Sequence, residues 1–476
     1  MSVRPALVAL LASACALSAC TTVGPDYAAP EAIAAPTAFA RAPDATAAAA
    51  QGPEWWRGYQ DPQLDKLVGQ ALAANLDLAA AQARLRQARA ALRRERAERT
   101  PSGGAEAGYA RQRVALAAYG FDLPGVKSGT LDLYRTEFDA SWELDLFGGE
   151  RRRVEAAHAV IAAAAARAAD ARVSLAAEVV STYVDLRGGQ ARLALAQQIL
   201  DTARRRHALI QVRLGQGAAS VDDLDKAAAD LDALFAADTT LRARIDADLD
   251  ALAVLSGQAP GALDEELGAP GVPLAPPAGL AVGDPASLLR RRPDVRAAER
   301  DLAADTARIG VAMADLFPKV SLSGGYGYSA VDPAKLGTAS ALGFHVGPTL
   351  SWNFLELNRV RADVVRTQAR RDESLAIYQG KVLNALQDAE TGLSRLRNQQ
   401  AQVENLRRVK AAADRSLDIT RLRLREGAAS QFDALEAEQR RLSAQDRLVD
   451  AQTQLAMDYA ALSKSLGFGW AGEATS

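Results

Sequence analysis

Between Tyr134 and Leu146 apolar and polar residues alternate without a break. Tyr134, Thr136, Phe138, Ala140, Trp142, Leu144 and Leu146 fall on one side; Arg135, Glu137, Asp139, Ser141, Glu143 and Asp145 fall on the other. A period of two is that of an extended strand with one greasy face and one wet face. Glu106 to Arg113 alternates more weakly and is rich in Gly and Ala, with Gly103, Gly104 and the glycines from Gly120 to Gly129 as loop punctuation around the pair. The alternation returns late in the chain. Val320, Leu322, Gly324, Tyr326 and Tyr328 oppose Lys319, Ser321 and Ser323, and then Leu342, Phe344, Val346, Leu350, Trp352 and Phe354 oppose His345, Thr349, Ser351 and Asn353. Four strands are expected, two within about 103–147 and two within about 318–354.

Elsewhere the period is helical. From Pro62 to Arg99, Leu64, Leu67, Val68, Ala71 and Leu72 recur at spacings of three and four, with Asp61-Pro62 as a start and Pro101 as a stop. From Glu150 to about Leu214 the pattern runs without a proline for roughly 65 residues, or about 100 Å at 1.5 Å per residue. A second long helix is expected over about 359–425. Two shorter helices carry sevenfold stripes: Leu224, Leu231, Ile245 and Leu252, with Asp238 in the remaining slot, and later Leu435, Leu442, Val449 and Ala456. Such a stripe means supercoiling against neighbours.

The stretch Arg213-Leu214-Gly215-Gln216-Gly217-Ala218-Ala219-Ser220 comes back as Arg423-Leu424-Arg425-Glu426-Gly427-Ala428-Ala429-Ser430, and Gly257 and Gly467 keep the same spacing. Each copy reads as the bend of a helical hairpin. Asp77-Leu78-Ala79-Ala80-Ala81 is answered by Asp294-Val295-Arg296-Ala297-Ala298, and Pro101 by Pro318. The chain is therefore a tandem duplication, with repeats at 61–270 and 271–476 joined through a Pro/Gly-rich connection.

Composition sharpens this. Of 476 residues 49% are hydrophobic but only 5% aromatic, and alanine supplies much of the apolar share, which favours long helices over a compact aromatic core. A net charge of −2 calls for neither nucleic acid nor an anionic surface. Residues 1–19 read as a secretory signal, a short basic start and an apolar run too short to span a membrane. It ends in Leu17-Ser18-Ala19-Cys20, which resembles a lipobox; Cys20 would become the acylated first residue, and Cys15 would leave with the signal, so no disulfide is possible. Thr21 and Thr22 follow in place of the Asp of lipoproteins retained in the inner membrane, so delivery to the outer membrane is expected. Residues 20–60 then form a lipid-anchored, Pro-rich extended segment.

The strand length and alternation suit outer-membrane strands with lipid outside and water inside; a soluble sandwich with one wet face is the alternative. Four strands cannot close a barrel, because the smallest bacterial ones need eight. An open edge in lipid leaves backbone groups unpaired at several kcal/mol each. Copies must then share a barrel. Two would give eight strands, filled by their own side chains; three would give twelve and a water-filled lumen, which charged inner faces favour. The fold class expected is mainly α with a membrane β-barrel portion. Four strands per protomer enter a trimeric twelve-stranded barrel, and the long coiled helices form a periplasmic α-barrel.

Several motifs carry a family resemblance: Cys20-Thr21-Thr22-Val23-Gly24-Pro25-Asp26-Tyr27, Trp55-Trp56 followed by Asp61-Pro62-Gln63-Leu64, and Trp142-Glu143-Leu144-Asp145-Leu146-Phe147-Gly148. Arg292-Pro293-Asp294-Val295-Arg296-Ala297-Ala298-Glu299, Phe317-Pro318 and Leu466-Gly467-Phe468-Gly469-Trp470 complete the set. Together they resemble the outer membrane factors, TolC-like exit ducts, in the NodT-type lipoprotein branch of resistance-nodulation-division efflux systems. The resemblance implies a homotrimer in the outer membrane that docks through its tips to a periplasmic adaptor, itself bound to an inner-membrane pump. One departure is Trp352 to Asn358, where the family has a Gly-containing turn; Asn358 can supply a left-handed residue there.

The resemblance also assigns roles. Gly215, Gly217 and Gly427 let the chain reverse, and Ala218, Ala219, Ala428 and Ala429 let an adaptor backbone approach, with Arg213, Leu214, Ser220, Arg423, Leu424 and Ser430 alongside. Phe432, Glu436, Gln439 and Arg440 take the positions of a periplasmic gate. The acidic strand residues Glu137, Asp139, Glu143 and Asp145 are expected to face the pore. The runs Arg151–Arg153, Arg204–Arg206 and Arg290–Arg292 read as solvated helix surface, and His158, His207 and His345 have no metal-ligand spacing. With no phosphate loop or nucleophile motif, no enzymatic activity, metal or cofactor is expected beyond the lipid on Cys20. Two alternatives stay open: the same duct serving protein or peptide secretion, and a non-pore periplasmic coiled-coil lipoprotein scaffold.

Overall fold

Asn75 interrupts the first helical stretch, which the periodicity alone reads as continuous. Its amide closes the last turn of one helix on Ala71 at 2.9 Å, while its side-chain oxygen accepts the Leu78 amide at 3.0 Å and so starts the next. Asn competes with the backbone for just such bonds, and here it splits 62–99 into α1 (Pro62–Ala74) and α2 (Leu76–Glu98).

The computed structural model describes residues 22–30, 36–41, 52–115, 128–277 and 282–470. Cys20 and the 1–19 signal lie outside the described residues. After α2 come β1 (Ser102–Ala115), β2 (Ser128–Leu144), α3 (Gly149–Gly215), α4 (Val221–Leu255), the short α5 (Asp264–Leu267), α6 (Pro285–Arg291) and α7 (Pro293–Ala314). Then follow β3 (Lys319–Ala330), β4 (Leu342–Ser351), α8 (Leu357–Arg425) and α9 (Gln431–Ser465). Asn358 lies in the first turn of α8 and is not left-handed; a single 3₁₀ turn, Phe354–Glu356, makes the connection without a glycine. No helix among the described residues is long and apolar enough to cross a membrane.

Two compact units are present, and each takes segments from both halves of the duplication. One comprises Met1–Pro30, Leu85–Ala164 and Ala298–Tyr378 and contains an antiparallel sheet in the order β1-β2-β3-β4. Gly103, Gly104 and Gly129, expected in loops, are strand residues, so β1 and β2 are longer than their side-chain alternation announces. Glycine hides a strand from a periodicity search because it contributes to neither face.

The other unit comprises Glu31–Arg84, Ala165–Ala297 and Gln379–Ser476. Its core explains three of the six family motifs. Trp55 packs edge-on against Trp56 and Tyr59, and the Tyr59 hydroxyl donates to the Ala456 carbonyl at 2.6 Å. Asp61 caps α1 by accepting the Gln63 and Leu64 amides, and Tyr183 donates to its other oxygen at 3.1 Å. Trp470 donates to the Arg291 carbonyl at 2.7 Å, beneath the Arg296 guanidinium. The sevenfold stripe of α9 is real: Leu435, Leu442, Val449 and Ala456 are all buried, and Leu442 and Val449 pack on Leu195 and Ile199 of α3. In the α4 stripe Ile245 and Leu252 are buried, while Asp238 fills its slot as an ion pair with Arg242.

Candidate functional site

The strand register sorts every side chain of the sheet onto one of two faces. Directly opposed residues share a face. On one, Tyr134 meets Tyr109, Phe138 meets Tyr326, Trp142 meets Leu322, Tyr326 meets Phe344 and Val320 meets Leu350. Phe138 stacks on Tyr326 at 5.4 Å and Tyr109 lies 5.0 Å from Tyr134. Among the described residues nothing covers this face: Phe344 is 81% exposed, Val346 73% and Leu350 67%. An uncovered apolar band of this kind marks a surface that meets lipid or another protein.

The opposite face is polar and lined by small residues. Glu106 stands across from Glu137, Asp139 lies between Gly104 and Gly325, Glu143 faces Ser321, and His345 faces Gly325. Ser321 meets Thr349 and Lys319 meets Ser351. Three of the four acidic residues expected on this face, Glu137, Asp139 and Glu143, are there, and Arg135 offsets Glu137 at 3.8 Å. Asp145 is not. It lies past the end of β2, where its carboxylate accepts the amides of Glu150 and Arg151 at 3.0 and 2.9 Å and so caps α3. The strand alternation ran on through it because an N-cap carboxylate looks, in sequence, like one more polar position.

The two hairpin tips belong to the other unit and are built alike. At the end of α3, Gly217 donates to the Leu214 carbonyl and Ala218 to that of Arg213; at the end of α8, Gly427 and Ala428 do the same to Leu424 and Arg423. This paired bonding requires a left-handed residue, supplied by Gly217 at φ +71° and Gly427 at φ +74°. Gly215 has ordinary helical backbone and ends α3. After each turn a serine begins the next helix. Ser220 accepts the Asp223 amide and the Asp223 carboxylate accepts the Ser220 amide; Ser430 and Asp433 repeat the box. The serine N–H and hydroxyl hold both carboxyls below their ordinary range. The Ser-x-x-Asp spacing was present in both copies of the sequence, and it is the signal that predicts these caps. Arg213, Arg423, Ala218 and Ala428 are exposed, while Leu214, Leu424, Ala219 and Ala429 are half-buried.

Just beyond the second tip, Phe432, Glu436 and Gln439 are half-buried and Arg440 is exposed. Glu436 pairs with Arg440 one turn on at 2.5 Å, and Gln439 accepts from Arg206 of α3 at 3.4 Å. The arrangement brings α9 under arginines from two neighbours. Arg192 of α3 donates to Asp446 at 2.9 Å and to Asp450 at 2.6 Å. Arg205 of α3 and Arg421 of α8 both approach Glu438, at 3.8 and 3.5 Å. Sequence periodicity could not find the pairs made by α3, because they join positions more than two hundred residues apart.

Several members of the arginine runs depart from the solvated surface expected of them: Arg206 is half-buried and also pairs with Asp230, and Arg151 and Arg153 pair with Asp145 and Glu150. Arg152 is 3% exposed, and Arg292 is held by Asp294 at 2.8 Å, Asp388 at 3.1 Å and the Ser465 carbonyl. His158 shares a contact with Arg96 at 2.9 Å.

The chain matches the model of outer membrane efflux proteins twice in succession, over residues 67–258 and 285–468. It is 31% identical over 458 residues to Nodulation protein T of Rhizobium leguminosarum bv. trifolii, covering 95% of each chain. It is 30% identical to outer membrane protein OprJ of Pseudomonas aeruginosa, covering 98% of this chain and 97% of that one. Among solved structures, the outer-membrane channel OprN superposes with a TM-score of 0.84 at 36% identity, over 94% of this chain and 99% of that one.

Proposed function

The chain belongs to the outer membrane efflux protein family, and from that membership we propose that three copies assemble into the exit duct of a tripartite pump. The protein is an outer-membrane efflux channel and not an enzyme. The observation that carries the reading is the sheet. Among the described residues its outer strands, β1 and β4, each have one unpaired edge, and one face is apolar and uncovered. In hydrocarbon an unpaired edge costs several kcal/mol for each group left without a partner. Copies that join β1 to β4 remove all such edges and put the apolar face toward lipid. The face with Glu137, Asp139, Glu143 and His345 then lines a water column.

The tips supply the contact with a periplasmic adaptor, which in turn engages an inner-membrane pump. Ala218 and Ala428 present small exposed side chains beside a rigid, twice-capped turn, a surface that another helical hairpin can approach closely. Phe432, Glu436, Gln439 and Arg440, with the arginines that grip α9, form the gate. The test is electrical and hydrodynamic together: heat-modifiable, SDS-resistant oligomers of three-chain mass and single-channel conductance in planar bilayers. A cysteine pair across β1 and β4 should crosslink between chains and not within one. Oligomers of two-chain mass alone, or a folded monomer that passes no ions, would refute the duct.

A further inference from the structure

The segment Thr22–Tyr27 is seated more tightly than an extended tether requires. Val23 donates to the Phe147 carbonyl at 3.0 Å, at the foot of β2. Arg152, in the first turn of α3, returns three bonds: to the Val23 carbonyl at 3.1 Å, the Gly24 carbonyl at 3.1 Å and the Asp26 carboxylate at 2.7 Å. Its remaining nitrogen is taken by Glu155 at 2.7 Å. Gly24, at φ +89°, lies so close to α7 that a Cβ on it would come within 2.4 Å of the Gly310 Cα. A Cβ on Gly310 would in turn lie 2.7 Å from the Val23 carbonyl oxygen. Tyr27 completes the seat by donating to Glu299 at 3.1 Å, with Arg300 over its ring.

A buried guanidinium is costly unless fully bonded, and this one spends two of its bonds on the main-chain carbonyls of Val23 and Gly24. The receiving groups come from both halves of the duplication: Phe147 and Arg152 from the first, Glu299 and Gly310 from the second. Phe147 is also stacked on Phe317 at 4.5 Å, at the foot of β3. The segment therefore ties the feet of the two central strands to the start of α3 and the last turns of α7.

We propose that Thr22–Tyr27 is an assembly clasp, received by Arg152 and Gly310, which fixes the feet of β2 and β3 so that the strands of separate copies can pool. Its second half rests on the shared-barrel reading above. The clasp acts through its peptide seat, independently of any acyl group on Cys20.

Gly310→Ala is the sharpest test, because alanine favours the helix of α7 while its methyl would press on both the Val23 carbonyl oxygen and the Arg152 side chain, each 2.7 Å away. Arg152→Lys is the second variant; it keeps the charge and removes the fork. In full-length acylated protein, both should raise the exchange rate of the Val23 amide by about tenfold or more, leave peptides of α1 and α9 unchanged, and reduce SDS-resistant oligomers. Cys20→Ala alone should leave the Val23 amide protected. Unchanged exchange in both variants would overturn the seat. A freed segment with oligomers and conductance intact would overturn the clasp. A wild-type protein with a protected Val23 amide and no oligomer would overturn the shared barrel and the assembly role with it, while the seat itself stood.

Discussion

The indole N–H of Trp142 donates to the main-chain carbonyl of Arg99 at 3.0 Å, and Trp352 makes the equivalent bond to Leu316 at 3.2 Å. Arg99 and Leu316 follow the last residues of α2 and α7, where carbonyls have no partner within the helix. Each half of the duplication thus pins the end of a helix to the foot of a strand with the same side chain. Changing both tryptophans to phenylalanine keeps an aromatic six-membered ring at each site and removes the bonds, at about 1 kcal/mol each. The expected outcome is a lower apparent melting temperature in detergent with unchanged conductance per channel. An unchanged melting temperature would mean that water replaces these bonds without loss.

At the tips, Gly217 and Ala428 are not equivalent probes. A bulky residue at Gly217 must adopt a positive φ, so it strains the turn as well as obstructing an approaching partner. Ala428 is exposed and has no positive φ. Ala428→Trp should therefore abolish drug export while leaving the oligomer and its melting temperature unchanged. Retained antibiotic resistance in a deletion strain carrying this variant would remove the tip from the docking surface.

What was legible in the sequence followed from strict periodicity or exact repetition. The strands with side chains on both faces, the α9 stripe and the twin tips could all be read directly. Gly257 and Gly467 could be paired by spacing, and the structure explains why: each is the left-handed residue that ends its helix. The misreadings came where one residue type serves two purposes. Asn75 looked like an ordinary polar position in a helix, Asp145 like one more polar strand residue, and Gly103 and Gly104 like a loop. Arg152 was hidden differently. Its neighbours Arg151 and Arg153 are half-buried and pair locally with Asp145 and Glu150, whereas its own partners, Val23 to Asp26, lie in a Pro-rich stretch with no periodicity to betray a contact. The tips could be placed by repetition and the gate positions by family resemblance alone, but the grip of the α3 arginines on α9 depends on long-range packing that no local pattern encodes.

Arg192 makes the gate testable from a distance. It bridges α3 to Asp446 and Asp450 on α9, and it is about three-quarters buried. Arg192→Ala leaves two carboxylates on α9 without their cation, so they repel one another and loosen the helix. The expected outcome is a larger open fraction in single-channel records and greater uptake of bulky antibiotics through the outer membrane. Phe432→Ala with Glu436→Ala should act in the same direction. If all three leave open fraction and uptake unchanged, the closure lies elsewhere in the chain.

Asp248 gives the helical unit a dependence on pH. It lies one turn beyond Arg244 on α4, but Arg244 is committed to Asp185 of α3 at 3.1 and 2.5 Å, and the Asp248 Oδ2 is buried without a donor. Burial pushes its pKa up to about 7, the nearby Asp185 adds to the rise, and Arg244 opposes it. A carboxyl raised in the folded state contributes stability that is complete below its ordinary range and is lost as pH climbs through the raised value. The protein should therefore melt at a lower temperature at about pH 8 than at about pH 5. Asp170 and Asp458 are raised by burial as well and act in the same sense. Asp248→Asn isolates one contribution: it should raise stability above neutral pH by about 1 kcal/mol, a figure reduced for the solvent that reaches this half-buried group. It should change little at the acidic end, where Asp248 is already protonated. A variant that gains equally at both ends of the range would show that packing, and not the buried charge, sets the effect.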